Sequence, residues 1–199
     1  SHMTEVQSLL LSPFTRSLGI KHYLWYAHAH RSVYLRICEF MLDGIVSSTQ
    51  GSCPVKHSEK FLIGQAIDTQ DFNFRSKDDL ELDNLVHIGR FDPSKNLDRV
   101  IETSLINSDN EGLIDSLTIM GTPSNQKAES YKNGLERRFK SLIENQKLCF
   151  NPSVPRSTIP DLTKEYNLFI HSFEGSLDKV LLEATLLGLP VITVNQEFI

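Results

Sequence analysis

The sequence predicts an α/β protein with a Rossmann-like, doubly wound parallel sheet in its C-terminal part and a partial second α/β domain in front. Three observations carry this reading. From about residue 85, short apolar runs alternate with amphipathic stretches across short links. Strand and helix in strict alternation imply right-handed crossovers, hence a parallel sheet. The run "DTQDFNFRSKDDLELDN" (68–84) is polar, charged and without periodicity, and sets off a shorter, less regular front. The expected organisation is therefore a truncated N-terminal α/β remnant over 1–70, a linker over 71–84, and a Rossmann-like domain over 85–199. "TVNQEFI" follows the last strand with no closing helix, and Ser1-His2-Met3 reads as the scar of an expression tag, so a fragment of a longer protein is expected.

In the front part, "HYLWYAH" (22–28) reads as a strand, "RSVYLRICEFML" as a helix, and "GIVSST" and "EKFLIGQAI" as strands. Residues 4–21 receive no assignment. In the second part, "LVHIGRF" is a strand and "SKNLDRVIETSLI" a helix with Leu97, Val100, Ile101 and Leu105 on one side. "SLTIMG" is a buried strand and "NQKAESYKNGLERRFKSLIEN" one long helix. "KLCFNPSV" is a strand, followed by a short helix near "IPDLTKEY". "YNLFIHS" is a strand, 176–187 a helix and "PVITVN" a strand.

Composition narrows the function. The net charge of −5 argues against wholesale nucleic-acid binding. No uninterrupted apolar run approaches the ~20 residues that span a bilayer. Cys38, Cys53 and Cys149 are odd in number and fit neither a metal spacing nor a disulfide framework, which suggests a reducing compartment. The basic cluster "ERRFKS" (136–141) reads as a solvated helix face, with contact to anionic lipid or a partner as the alternative.

The chemistry is concentrated in "GSLDKVLLEATLLGLPVITVN" (175–195). Ser176 suits a helix N-cap. Leu177, Val180, Leu181, Ala184 and Leu187 form an apolar stripe, Gly188 fits the C′ position, and Pro190 stops the helix. A helix N-terminus at Gly175-Ser176, directly after a strand, lies at the carboxyl edge of the sheet, where a phosphate finds orphan N–H groups. Glu183, ~10 Å further along the axis, is either an acceptor for a pair of sugar hydroxyls or a solvated surface residue. His28 and His30 share one face of the expected strand. Without a third ligand no metal site follows, and one of them is expected to face the interdomain cleft. His171, at the end of its strand, has a core or hydrogen-bonding role by default.

These segments resemble the family 4 glycosyltransferases of the GT-B fold, retaining enzymes that use sugar nucleotides. "EGSLDKVLLEATLLGLPVITVN" resembles the C-terminal signature, and "LVHIGRFDPSKNLDRVIE" the opening of the donor domain. "LTIMGTP" resembles its second strand and Gly-x-Pro turn, and "FNPSVPRSTIPDLTKEYNLFIHS" the strand, loop and strand before the signature. "GIVSSTQGS" and "IGQAIDTQDF" look like the last strands of the partner domain, with Ala66 where the family has the Gly of Gly-Ile-Asp. The resemblance implies that Arg90 and Lys95 neutralise the donor diphosphate, with Gly89 and Gly121 in the adjoining turns. It implies that Glu183 binds the ribose hydroxyls and that Gly175, Ser176 and Leu177 bring backbone amides to the diphosphate. "SVPR" (153–156), Pro155 included, falls where the family contacts the base. The family's E-x(7)-E places its first glutamate at Gly175 here, with Glu174 one residue early. Either a shifted turn brings Glu174 in, or Asp178 or Lys179 takes part of the sugar-reading role. His28 is the expected acceptor-side residue.

The implied activity is transfer of a hexose-type sugar from a UDP, GDP or ADP donor to a sugar or lipid-linked acceptor, in polysaccharide or glycolipid synthesis. No cofactor and no metal are expected. By analogy, the enzyme works in the cytoplasm or at the inner face of the cell membrane as a peripheral protein. A nucleotide-sugar-binding module without turnover is the alternative. A nicotinamide-binding domain ranks low, because no G-x-G-x-x-G follows a strand.

Overall fold

A computed structural model describes residues 1–70, 72, 83–107 and 114–199. The chain divides into two compact units. The first comprises residues 1–66, 175–178 and 196–198; the second comprises 67–174, 179–195 and 199. Most of the expected linker, residues 71 and 73–82, lies outside the described residues.

The first unit runs α1 (Glu5–Ser17), β1 (Tyr23–Trp25), α2 (Val33–Met41), β2 (Gly44–Ser47) and β3 (Lys60–Leu62). Its strands form a parallel sheet in the order β1-β2-β3. The Ser32 hydroxyl starts α2, accepting from Leu35 N–H at 2.9 Å and donating to Glu5 on α1 at 3.0 Å. The core gathers Leu24, Tyr26, Leu35, Leu42, Ile45 and Val55 with Cys38 and Cys53. Burial pushes the Cys38 thiol up to about 11 and raises that of Cys53, so both stay protonated and inert. The unassigned stretch 4–21 contains α1, whose pattern is inverted. Ser8 and Ser12 are buried, their hydroxyls donating to the carbonyls of Thr4 at the N-cap and of Leu9, while Leu10 and Phe14 are about two-thirds exposed. β1 is shorter than expected and ends at Trp25. His28 and His30 therefore lie beyond it in a loop, and the shared strand face does not exist.

In the second unit β4 (Asn84–Ile88) leads through a 3₁₀ turn (Pro93–Lys95) into α3 (Leu97–Ile101), which continues as a π-helical stretch to Ile106. β5 (Ser116–Met120) is followed by α4 (Gln126–Arg138) and α5 (Lys140–Glu144). The single long helix expected there is thus broken at Phe139, whose burial turns the chain back to the core. β6 (Leu148–Asn151), α6 (Ile159–Leu162), β7 (Leu168–His171), α7 (Lys179–Leu186) and β8 (Val191–Thr193) complete it. The sheet is wholly parallel, in the order β6-β5-β4-β7-β8.

The larger core joins Leu85, Leu117, Ile119, Leu148, Leu168 and Ile170 of the strands to Leu97, Val100, Ile101 and Leu135 of α3 and α4. A smaller cluster joins Ile88 and Val154 to Phe72, Ile159 of α6 and Leu187 beyond α7. Leu85 and Ile88 stand three residues apart on β4 and so face opposite ways. Helices therefore cover both faces of the sheet, as a doubly wound fold requires. Among the described residues no helix is long and apolar enough to cross a membrane.

Tyr131 of α4 ties α3 in place. Its hydroxyl accepts from the N–H of buried Leu97 at 2.9 Å, satisfying an orphan donor of the first helical turn, and donates to Asp98 at 3.1 Å. Burial pushes this phenol up to about 12, and the neighbouring Asp98 charge acts in the same direction. A raised phenol stabilises the fold in its neutral form. The contribution is complete below the unfolded value, near ~10, and is lost as pH rises through about 12. Tyr131→Phe leaves the Leu97 N–H without this acceptor and should cost ~1–2 kcal/mol in urea denaturation at pH 7.

Two glycines should respond oppositely to alanine. A Cβ on Gly121 would sit 1.9 Å from the Gly89 carbonyl oxygen, so Gly121→Ala must push two strand ends apart. On Gly134, inside α4, it would meet nothing within 4 Å. Gly134→Ala should stabilise by ~1 kcal/mol, whereas Gly121→Ala should lower the thermal midpoint by several degrees. Differential scanning calorimetry reads both.

Candidate functional site

The site follows from strand order. β5 and β6 lie on one side of β4, β7 and β8 on the other, so the chain reverses direction across the sheet at β4 and β7. Their carboxyl ends form the switch point where α/β sheets bind ligands. At the same edge of the sheet, on the β6 side of that point, Gly89 and Arg90 leave β4, Gly121 and Thr122 leave β5, and Ser153 and Val154 follow β6. With Ile88 and Met120 they line a cleft of ≈ 270 Å³.

Local chemistry accounts for the shape of this cleft. Gly89 N–H donates to the Met120 carbonyl and Gly121 N–H to the Asn151 carbonyl, both at 2.9 Å, so the ladder extends to the rim. The absent side chain at Gly121 lets the two turns meet. The Thr122 and Ser153 hydroxyls are 2.7 Å apart, and the Thr122 oxygen also accepts from Ser153 N–H at 3.1 Å.

Of the expected cations, Arg90 is exposed on the cleft wall, whereas Lys95 is only 7 % exposed. Asp92 folds under the turn that carries Lys95. Its carboxylate accepts from the Ser94 hydroxyl and N–H, and these bonds lower its pKa, so it stays ionised. Asn96 takes the left-handed conformation (φ 48°, ψ 44°), which asparagine tolerates better than most residues. This is the physical content of the Lys-Asn pair. The Asn96 amide donates to the Ser172 carbonyl at 3.2 Å, and the Ser172 hydroxyl donates to the Lys95 carbonyl, joining the turn to the end of β7. The Lys95 ammonium lies 4.0 Å above the Phe173 ring. The Phe173 carbonyl in turn accepts from Asn195 at 3.0 Å.

α7 starts at Lys179, so Ser176 is not its N-cap, and Glu183 stands one turn inside the helix rather than two. The helix ends as expected, with Gly188 at φ 73° and Leu189 N–H donating to the Ala184 carbonyl at 3.0 Å. The solvated reading of Glu183 fails, because the residue is 5 % exposed. Its carboxylate accepts from the Arg156 guanidinium, whose central carbon lies 5.3 Å from the Phe72 ring centroid. Ile88 and Val154, which line the cleft, belong to the cluster that holds Phe72.

The other expected residues are dispersed. Pro155 is exposed and opens the 3₁₀ turn Arg156–Thr158, accepting from Thr158 N–H at 3.0 Å. Gly175, Ser176, Leu177 and Asp178 group with the first unit, where the Leu177 carbonyl accepts from Gln65 at 3.2 Å. Glu174 is exposed on a different cavity of ≈ 340 Å³, with Arg99, Thr103 and Thr193. Lys179 is exposed at the start of α7, and His28 packs edge-on against Tyr26.

His171 is buried, 3.1 Å from the Thr193 hydroxyl, and stacks on His87. The cluster "ERRFKS" is partly paired, Arg138 to Glu102 and Lys140 to Glu144. Among the described residues no group of three or more His, Cys, Asp or Glu is placed to hold a metal ion. Arg156 falls in the run expected near the base, and its pairing with Glu183 is not among the expectations. Its signal was present in "SVPR", but the partner lies 27 residues away.

Solved structures share this architecture. The chain superposes on Anabaena Alr3699/HepE, determined in complex with UDP, with a TM-score of 0.77 at 15 % identity over 96 % of this chain and 57 % of that one. For the pneumococcal O-GlcNAc transferase GtfA, in complex with UDP and GlcNAc, the values are 0.69, 13 %, 93 % and 39 %. For the lipopolysaccharide outer core galactosyltransferase WaaB they are 0.65, 13 %, 96 % and 54 %. The chain thus spans little more than half the length of the first of these. No curated protein matches it in sequence. The fold is the Rossmann-like parallel-sheet domain of GT-B proteins with a smaller second α/β domain. Residues 68–199, which contain every element of the cleft, match glycosyl transferases group 1, and the chain belongs to that family.

Proposed function

We propose that the protein takes a sugar from a UDP-sugar donor and transfers it to an acceptor hydroxyl, with retention and without an obligatory metal. The observation that carries the reading is a cleft at the carboxyl ends of β4, β5 and β6 with Arg90 on its wall, a buried lysine on the turn that follows β4, and a buried carboxylate whose partner Arg156 rests on Phe72, in the apolar cluster that Ile88 and Val154 share with the cleft. A departing nucleoside diphosphate gains negative charge as the glycosidic bond breaks. Fixed cations placed beforehand lower that barrier without reorganising. Arg90 supplies a planar fork suited to phosphate oxygens, and Lys95 a point charge in a poorly solvated position. Glu183 accepts from the ribose hydroxyls. The choice of UDP rests on the nucleotide bound in the first two structures described above.

The acceptor is a sugar or lipid-linked sugar of a polysaccharide or glycolipid, at the inner face of the cell membrane. The length of the solved relatives favours a second reading for this polypeptide by itself: it binds the donor without turnover.

Calorimetric titration with UDP, GDP, ADP and NAD tests the reading. UDP should bind and NAD should not. Arg90→Ala and Glu183→Ala should each weaken UDP at least tenfold, ~1.4 kcal/mol. Equal affinity in wild type and both variants contradicts the site. Product analysis with UDP-sugars separates transfer from binding alone.

A further inference from the structure

Arg156 closes the run "SVPR", whose Ser153 and Val154 line the cleft, and a turn and two contacts fix it. It leaves β6 on the turn opened by Pro155, where the Thr158 hydroxyl and N–H both donate to the Pro155 carbonyl, at 2.7 and 3.0 Å. Its guanidinium rests on the ring of Phe72, itself 1 % exposed and packed with Ile159 and Leu187. It donates to the Glu183 carboxylate. The two partners differ in solvation: the Arg156 side chain is 46 % exposed, that of Glu183 only 7 %. A carboxylate buried to this degree is costly unless a cation and hydrogen bonds compensate it. Near a diphosphate, an uncompensated negative charge would also repel the ligand.

We propose that Arg156, seated on Phe72, is a positioning residue for the nucleotide: it fixes the orientation of Glu183 toward the ribose and offsets its charge beside the diphosphate. The inference rests on the nucleoside-diphosphate reading given above. Donation from Arg156 to one carboxylate oxygen is compatible with acceptance from hydroxyls, because an ionised carboxyl offers about four acceptor positions. The arrangement makes ribose recognition dependent on an arginine that need not touch the nucleotide.

The experiment titrates UDP and 2′-deoxy-UDP into wild type, Arg156→Gln, Arg156→Lys, Glu183→Gln and the Gln/Gln double variant. Arg156→Gln should weaken UDP at least tenfold and bring the UDP to 2′-deoxy-UDP preference down to that of Glu183→Gln. Arg156→Lys should recover part of both, since lysine restores the charge without the planar fork. The double variant should bind no more weakly than Glu183→Gln alone, the signature of residues acting as one unit. Arg156→Met, which keeps an apolar stem on Phe72 and removes the charge, is the second variant and should behave as Arg156→Gln. Wild-type affinity and preference in the Gln and Met variants, or additive losses in the double variant, overturn the inference and leave the nucleotide reading standing. Failure of wild type to bind either diphosphate overturns the nucleotide reading itself, and the inference with it.

Discussion

A carboxylate on the inner face of a short helix sets the terms for the second unit. Glu183 is turned away from water on α7, between Leu181 and Ala184, which are buried as well. An ionised group in that position needs a cation held close, and Arg156 meets the need from a loop that leaves a different strand. The loop after β6 is thereby bound to α7, and Phe72 is clamped beneath the guanidinium. Val154, two residues before Arg156, is on the cleft wall. One ion pair therefore links the helix, the apolar cluster and the rim of the site.

The rest of the site is set by how closely the strand ends approach. Without a side chain on Gly121 the turns after β4 and β5 nearly touch, and Arg90 is carried on the wall they form. Asn96 accepts a left-handed backbone, so the chain turns sharply after Lys95, and the Ser172 contacts hold that turn to β7. Fixed charge at a concave, partly apolar edge is the arrangement by which proteins stabilise anions that develop during reaction. The two cations differ in character, Arg90 being hydrated and Lys95 packed on an aromatic face.

The parallel sheet of the second unit is legible in the sequence because its strands are short apolar runs between turn residues and the segments 97–105 and 177–187 carry stripes of 3.6 period. Roles for Arg90, Lys95 and Glu183 come from the resemblance alone, since an arginine at a strand end has many physical roles. α1 is illegible for a definite reason. Its buried residues are Ser8 and Ser12, its Val6, Leu10, Leu11 and Phe14 are exposed, and it carries Pro13 inside, so the usual periodicity points the wrong way. The start of α7 is misjudged because Ser176 looks like a cap, whereas Gly175–Asp178 join the first unit and the helix opens at Lys179. The break at Phe139 is hidden inside a run of good helix formers. The partnership of Arg156 with Glu183 is a tertiary fact between distant residues, and no local pattern encodes it.

The most direct measurement is a crystal structure of the protein with UDP bound. Density is expected in the cleft at Gly89 and Gly121, with the diphosphate toward Arg90 and the turn of Lys95, and ribose hydroxyls on a Glu183 still joined to Arg156. Nucleotide bound elsewhere, for instance in the cavity beside Glu174 and Arg99, with Glu183 making no contact to the ribose, would contradict it.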